Sequence, residues 1–325
     1  YIPFVILGFK RYLFTTVIVS WFSFLGIWKL FLVFAEQYPK MEKKIAIAIL
    51  FIPSIAFWGS GILKDTITFT CACWYTFAIY NLFIKKHKIA KSLIIVILTS
   101  SIIVAVKPYI LIALLPASVV WASYARVARI ENKIMKVVVA PFLIVFGVGI
   151  GIMALSLFGS RLDTYSSTDK VLQKAKVTRD DLVRGEQYGQ NYYDIGSFDA
   201  SATGMLKKAP LAIIAGLFRP FLWDARNPVM LISGLENFYI LCLFIFIAFR
   251  VGPFNLIKFI GSEPLLFFSF IFAIVFAFAV GLTTANYGAL VRYRIPAIPF
   301  FVASLFILLE KVKEYRLLKN ERNKK

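Results

Sequence analysis

Residues 264–282 read PLLFFSFIFAIVFAFAVGL, without one charged side chain. An apolar run of about 18 residues or more is long enough to cross the hydrocarbon of a bilayer. Inside hydrocarbon every backbone N–H and C=O must find its partner within the protein, so a crossing segment is a helix or a strand of a closed barrel. Barrel strands alternate apolar and polar residues. This stretch does not alternate, so it reads as a transmembrane helix. Working outward, the same reading applies to Tyr12–Ala35, Ile45–Ser60, Thr66–Ile84, Ser92–Val106, Tyr109–Tyr124, Val137–Gly159, Val229–Phe249 and Pro296–Leu309. The expectation is an all-α, polytopic membrane bundle of about nine spans, forming one membrane domain over 1–325. A hinge is expected at Lys107-Pro108, because proline lacks a backbone donor and disfavours helix at the residue before it.

Composition agrees. The chain has 325 residues, 60% of them hydrophobic, and a mean hydropathy of +0.77, where soluble chains are about half apolar. The net charge of +20 suits nucleic acid in a soluble protein, but no nucleic-acid-binding motif is present. Cytoplasmic Lys and Arg explain the charge instead. Cys71, Cys73 and Cys242 fall in expected spans and are odd in number, which argues against a disulfide framework. His87, the sole histidine, lies in a basic loop. No His/Cys zinc set is visible, and neither a cofactor nor a divalent metal has support in the sequence.

Alternating the spans gathers Lys40, Lys43 and Lys44, the 85–91 lysines, Arg126 to Lys136, Arg250 and Lys258, and the basic tail 310–325 on one side. The positive-inside rule makes that side cytoplasmic. Lys10 and Arg11 run against this assignment. It also puts Tyr1 outside, so an upstream span is expected. The opposite side carries the long polar segment Ser160–Asn227. Within it, Thr178 followed by Arg179-Asp180-Asp181 reads as a helix start, and Met205–Trp223 as an interfacial or re-entrant helix.

Several cations at the outer ends of spans are not explained by positive-inside: Lys64, Lys107, Arg219, Arg226, Arg292 and Arg294. A charge deep in a span costs about 2.5–3.5 kcal/mol on insertion scales, so it normally has a partner. One reading is that these side chains snorkel to lipid headgroups. The other is an anion site, since guanidinium forks match phosphate oxygens. The nearby acids are Asp65, Asp224 and Glu236. They are candidates for a general base or for ion-pair partners of the cations.

The stretches 52–65 (IPSIAFWGSGILKD), 107–117 (KPYILIALLPA), 218–238 (FRPFLWDARNPVMLISGLENF) and 286–300 (NYGALVRYRIPAIPF) resemble segments of GT-C-type glycosyltransferases, the dolichyl-phosphate-mannose and aminoarabinose transferase kind, and of bacterial membrane proteins grouped with them. The resemblance implies a polyprenyl-phosphate-linked sugar as donor and transfer at the periplasmic face of a bacterial inner membrane. It implies a catalytic carboxylate in the first external loop, upstream of Tyr1, and gives Asp65 the later acidic position of the pattern. It directs Arg292, Arg294, Lys64 and Arg219 to the donor phosphate. The acceptor would be an envelope glycan, lipid or protein. Three alternatives stand beside it: a related polysaccharide polymerase of a bacterial envelope; a transporter or flippase for an anionic glycolipid, with Gly147, Gly149 and Gly151 loosening a helix; and a subunit with no chemistry of its own.

Overall fold

The computed structural model describes residues 2–128, 142, 145–147, 149, 168–184 and 192–323. Among these the regular structure is helical, with one isolated antiparallel bridge between Tyr192 and Asn286. In chain order the helices are α1 (Ile2–Leu7), α2 (Tyr12–Gln37), α3 (Glu42–Leu50), α4 (Pro53–Trp58), α5 (Lys64–Ile79, prolonged by a π-turn through Lys85), α6 (Ile89–Val106) and α7 (Pro108–Ala128). Next come α8 (Thr168–Arg184), α9 (Ala202–Lys207), α10 (Ala209–Phe218), α11 (Pro228–Val251), α12 (Pro253–Ile260), α13 (Pro264–Thr283), α14 (Tyr287–Tyr293) and α15 (Ile298–Asn323).

Five of these are long and apolar enough to cross a membrane: α2, α5 with its π-turn, α6, α11 and α13. A sixth crossing arises if α14 and α15, bent by 70° at their junction, count as one broken span. The nine expected spans are therefore not all present as such among the described residues. Ile45–Ser60 is not one helix. It breaks at Phe51-Ile52, because Pro53 forces Ile52 into extended backbone. Tyr109–Tyr124 lies within the helix Pro108–Ala128, whose apolar part is short for a crossing. Val137–Gly159 falls almost wholly outside the described residues. Pro296–Leu309 becomes the start of a helix that begins at Ile298 and continues through the basic tail to Asn323.

One feature of the polar segment also differs. Thr178 lies inside α8, which starts at Thr168. The residues before Thr178 (KVLQKAKV) include no glycine or proline, so nothing stops the helix from beginning earlier.

The outward faces of the long helices identify their solvent. On α6, Ile94, Ile97 and Leu98 are exposed; on α11, Ile232, Leu235 and Tyr239 are exposed. Continuous apolar faces of this kind are unfavourable in water and ordinary in lipid.

Ion pairs show which helix ends lie together. Lys44 bonds Glu310 at 2.5 Å, Lys311 bonds Glu263 at 2.7 Å and Lys85 pairs with Glu36 at 2.6 Å. Tyr124 Oη donates to the Gly261 carbonyl at 3.1 Å. Of the basic segments that the alternation assigns to one side, those holding Lys44, Lys85 and Lys311 make these ion pairs; most of the Arg126–Lys136 segment lies outside the described residues. The interior is heavily aromatic, with Trp121 against Phe268 (4.6 Å between centroids) and Phe272 against Phe300 (4.9 Å).

Helix α10 packs along α13 through small residues. A Cβ at Gly281 would lie 1.9 Å from the Ala212 carbonyl oxygen, and one at Gly216 would lie 2.2 Å from that of Ala277. Close backbone approach through small side chains is a general device of helix packing in membranes. Here it seats α10 firmly and so sets where Arg219, just beyond its end, emerges.

Candidate functional site

The opposite end of the bundle collects residues from distant parts of the chain around Asp65. Asp65 sits in the first turn of α5, following extended Leu63. A carboxylate is favoured there by the unpaired N–H groups of the helix start. The loop before it is tied down by Thr66 Oγ1, which donates to the Gly61 carbonyl at 2.6 Å. Asp65 is 3% exposed.

Lys107 reaches Asp65 because of Pro108. The proline ends α6, and Lys107 takes a non-helical backbone conformation (φ −148°, ψ 78°) between the two helices. The expected hinge is thus where the structure bends, and it delivers a buried ammonium. Lys107 Nζ donates to Asp65 Oδ1, and it lies 3.9 Å from the centroid of the Tyr293 ring. That is a cation–π contact in addition to an ion pair.

Arg292, in the last turn of α14, brings a second cation to the same carboxylate. Its Nε lies 3.2 Å from Asp65 Oδ2. This is an ion pair without hydrogen-bond alignment, since Nε is buried with no directed acceptor. Its Nη2 donates to Tyr293 Oη at 3.2 Å. Lys64, exposed and next to Asp65 in sequence, adds a third positive charge. Three cations thus surround one acid, and Arg292, about a third exposed, keeps part of its guanidinium accessible.

Arg294 is directed elsewhere. Residues two apart on a helix point roughly 200° from each other, so Arg292 and Arg294 diverge. Arg294 is 1% exposed. Its Nη1 donates to the carbonyls of Leu217 (3.1 Å) and Arg219 (2.9 Å), and its Nη2 to Asn237 Oδ1. Asn237 in turn donates to the Pro220 carbonyl at 2.8 Å. The pair knits the α10 exit, including the cis Arg219-Pro220 bond, to α11 and α14.

Arg219 links these groups to the polar segment around Tyr193. Its Nη1 donates to Tyr287 Oη at 3.2 Å, and its guanidinium stacks on Tyr193 (5.2 Å) and Phe221 (5.3 Å). Tyr193 donates to the Gly281 carbonyl at 3.0 Å. Burial raises its phenol above the ordinary value, so it remains a neutral donor. Asp224 closes the Leu222–Asp224 turn, accepting from the Phe221 N–H at 2.9 Å. Glu236 accepts from Ser54 twice, from N at 2.9 Å and from Oγ at 2.6 Å. It thereby gives the Ser54 N–H, in the first turn of α4 where no intrahelical acceptor exists, a carboxylate partner.

Of the residues singled out from sequence, the structure brings together Asp65, Lys64, Lys107 and Arg292. It places Arg219 with Asp224 and Tyr287 nearby, and it gives Arg294 and Glu236 protein partners of their own. Sequence reasoning missed Tyr193, Tyr287, Asn237 and Ser54. The tyrosines carried a weak signal, being polar aromatics beside arginines. Asn237 and Ser54 carried none, since their partners are more than fifteen residues away in sequence. Among the described residues no group of three His, Cys, Asp or Glu side chains is placed to hold a metal ion. No protein-family model matches the chain, and neither do any curated protein or solved structure.

Proposed function

We propose that the Asp65 cluster binds the phosphate of a lipid-linked substrate at the non-cytoplasmic membrane face, and that the protein is a GT-C-like glycosyltransferase drawing sugar from a polyprenyl-phosphate carrier. The observation that carries this reading is the convergence of Lys107 and Arg292 on one buried carboxylate, with Lys64 beside it. Three cations to one acid leave an excess of positive charge at the ends of apolar helices. A phosphate with an apolar tail satisfies both surroundings: the head meets the cations and the tail lies against the exposed faces of the helices. Charge developing on a leaving phosphate would be stabilised by the same groups, and fixed cations in a site with little water stabilise it more than water does.

In this reading Asp65 is a positioning residue. Both its oxygens already face cations, so it fixes where the ammonium and the guanidinium stand. Arg292 and Lys64 contact the phosphate, and Arg219, propped by Tyr287 and Tyr193, reaches the sugar side. Arg294 holds the backbone on which the site is built. The positive-inside rule supports the external placement of this end, since the lysine-rich loops lie at the other.

A transporter or flippase of an anionic glycolipid is the second reading. The observation in its favour is the 70° break between α14 and α15 at the site itself, because discontinuous helices often line transport sites.

The test is native mass spectrometry of the detergent-purified protein with added polyprenyl phosphate, comparing wild type with Arg292→Ala and Lys64→Ala. Loss of retained lipid in the variants is expected. Equal retention in all three proteins would remove the phosphate site. If lipid is retained, a sugar-transfer assay against a lipid-scrambling assay in vesicles separates the two readings.

A further inference from the structure

A second charged pocket lies in the external segment, between α8 and the extended stretch 194–198. It encloses about 230 Å³ and is lined by Lys176, Arg179, Asp180, Asp194, Ser197 and the backbone of Gly196. This is below the roughly 300–1,000 Å³ usual for drug-sized ligands, so it suits a single small polar group or one sugar ring. It shares no residue with the Asp65 cluster.

Arg179 is the anchor. It is 3% exposed and its guanidinium lies 5.8 Å from the Tyr193 ring centroid. Its Nη2 donates to Asp194 Oδ1 at 2.8 Å, while its Nη1, also buried, has no acceptor among the described residues. A buried guanidinium donor without an acceptor is costly. Gly196 widens the pocket beside it. Gly196 has φ +78°, a conformation that favours glycine, and the Lys208 Nζ lies 2.8 Å from where a Cβ would stand. The Lys208 ammonium is held against the pocket by donating to the Ile195 carbonyl at 2.9 Å.

The charges select the ligand. Among the lining residues Lys176 and Arg179 face Asp180 and Asp194, and the Lys208 ammonium behind Gly196 adds one unbalanced positive charge among the described residues. A monoanion neutralises it; a phosphate dianion would overshoot and would face two carboxylates. We propose that this pocket binds a carboxylate group carried on a sugar-sized ligand, with Arg179 Nη1 and Lys176 as its cationic partners and Ser197 donating from the rim. A site of this chemistry recognises an acidic sugar, and it holds whether the membrane cluster transfers or transports its lipid-linked substrate.

The test is isothermal titration of the full chain in detergent micelles with glucuronate, glucose and inorganic phosphate as separate probes. Saturable glucuronate binding with no binding of glucose is the expected result. Lys176→Gln should weaken glucuronate about tenfold, the effect of losing one charge-assisted hydrogen bond, and Lys176→Arg should restore it. Lys176 is only half-buried and makes no described ion pair, so its replacement does not threaten the fold. Arg179→Gln should abolish binding; because Arg179 also stacks on Tyr193, the Lys176 series stands as the independent measurement. Absent glucuronate binding, wild-type affinity in Lys176→Gln, or phosphate binding as tight as glucuronate would each overturn the proposal.

Discussion

Replacing Asp65 with asparagine keeps the shape of the side chain and removes its charge. The consequence is set by what is left behind. The side chains of Lys107 and Asp65 are 10% and 4% exposed, so the Lys107 ammonium would be stranded in a nearly dry site. Removing one partner of a buried ion pair typically costs about 3–5 kcal/mol. Arg292 is 32% exposed, so its share is screened by solvent and adds less than about 1 kcal/mol. The Tyr293 contact with Lys107 is present before and after the change and cancels. Asp65→Asn should therefore lose about 3–5 kcal/mol. Asp65→Asn/Lys107→Met should lose clearly less than the sum of its two single variants, because the second change removes the stranded charge. The assay is reversible unfolding of the detergent-solubilised chain by a denaturing detergent, followed by tryptophan fluorescence. A loss below about 1 kcal/mol for Asp65→Asn, or an additive double variant, would refute the idea that Asp65 holds the cations in a desolvated cluster.

Arg294→Lys should destabilise by about 2–6 kcal/mol, because an ammonium cannot replace the guanidinium fork and two buried carbonyls, of Leu217 and Arg219, lose their donors; the same unfolding assay measures it. Gly281→Ala should be destabilising by about 1–3 kcal/mol, since the new methyl meets the Ala212 carbonyl rather than a side chain that can rotate away; Gly61→Ala, in more open surroundings, is the control. The hydrogen bond from Arg179 holds the Asp194 carboxyl below its ordinary value of 3.8. Its contribution is thus complete above pH 3.8 and is lost only as pH falls through the lower folded value. Hydrogen-exchange protection factors of residues 194–198, corrected for the intrinsic pH dependence of exchange, should stay flat from neutral pH to about pH 4 and fall only in stronger acid, and Asp194→Asn should abolish that fall.

Much of the architecture was legible in the sequence because hydrocarbon imposes a simple rule. Long apolar runs such as 264–282, with no charge, and 229–249, with Glu236 as its one charge, have to become helices, whatever their neighbours do, and each is a helix. Lys107-Pro108 was likewise legible, since proline acts on its own preceding residue. The alternating lysine-rich loops predicted which helix ends meet. What local pattern did not reveal was the break at Phe51-Ile52, where a single proline inside an apolar run decides between one long helix and two short ones. The apolar content there is the same either way, so hydropathy passes over a break that Pro53 sets by holding Ile52 in extended backbone.

The site divides along the same line. Cations at span ends stand out in sequence because each is costly in lipid, so Lys64, Lys107, Arg219, Arg292 and Arg294 could all be marked in advance. Their partners could not. Arg292 and Arg294 look like one pair on the page, yet the turn of the helix sends one to Asp65 and the other to the carbonyls of Leu217 and Arg219. Charge and hydropathy are properties of a residue and its neighbours in sequence, so the chain alone determines a bundle of apolar, membrane-length helices with positive charges at helix ends. Which acid meets which cation depends on helices brought together across tens or hundreds of residues, and that was decided only by the tertiary structure.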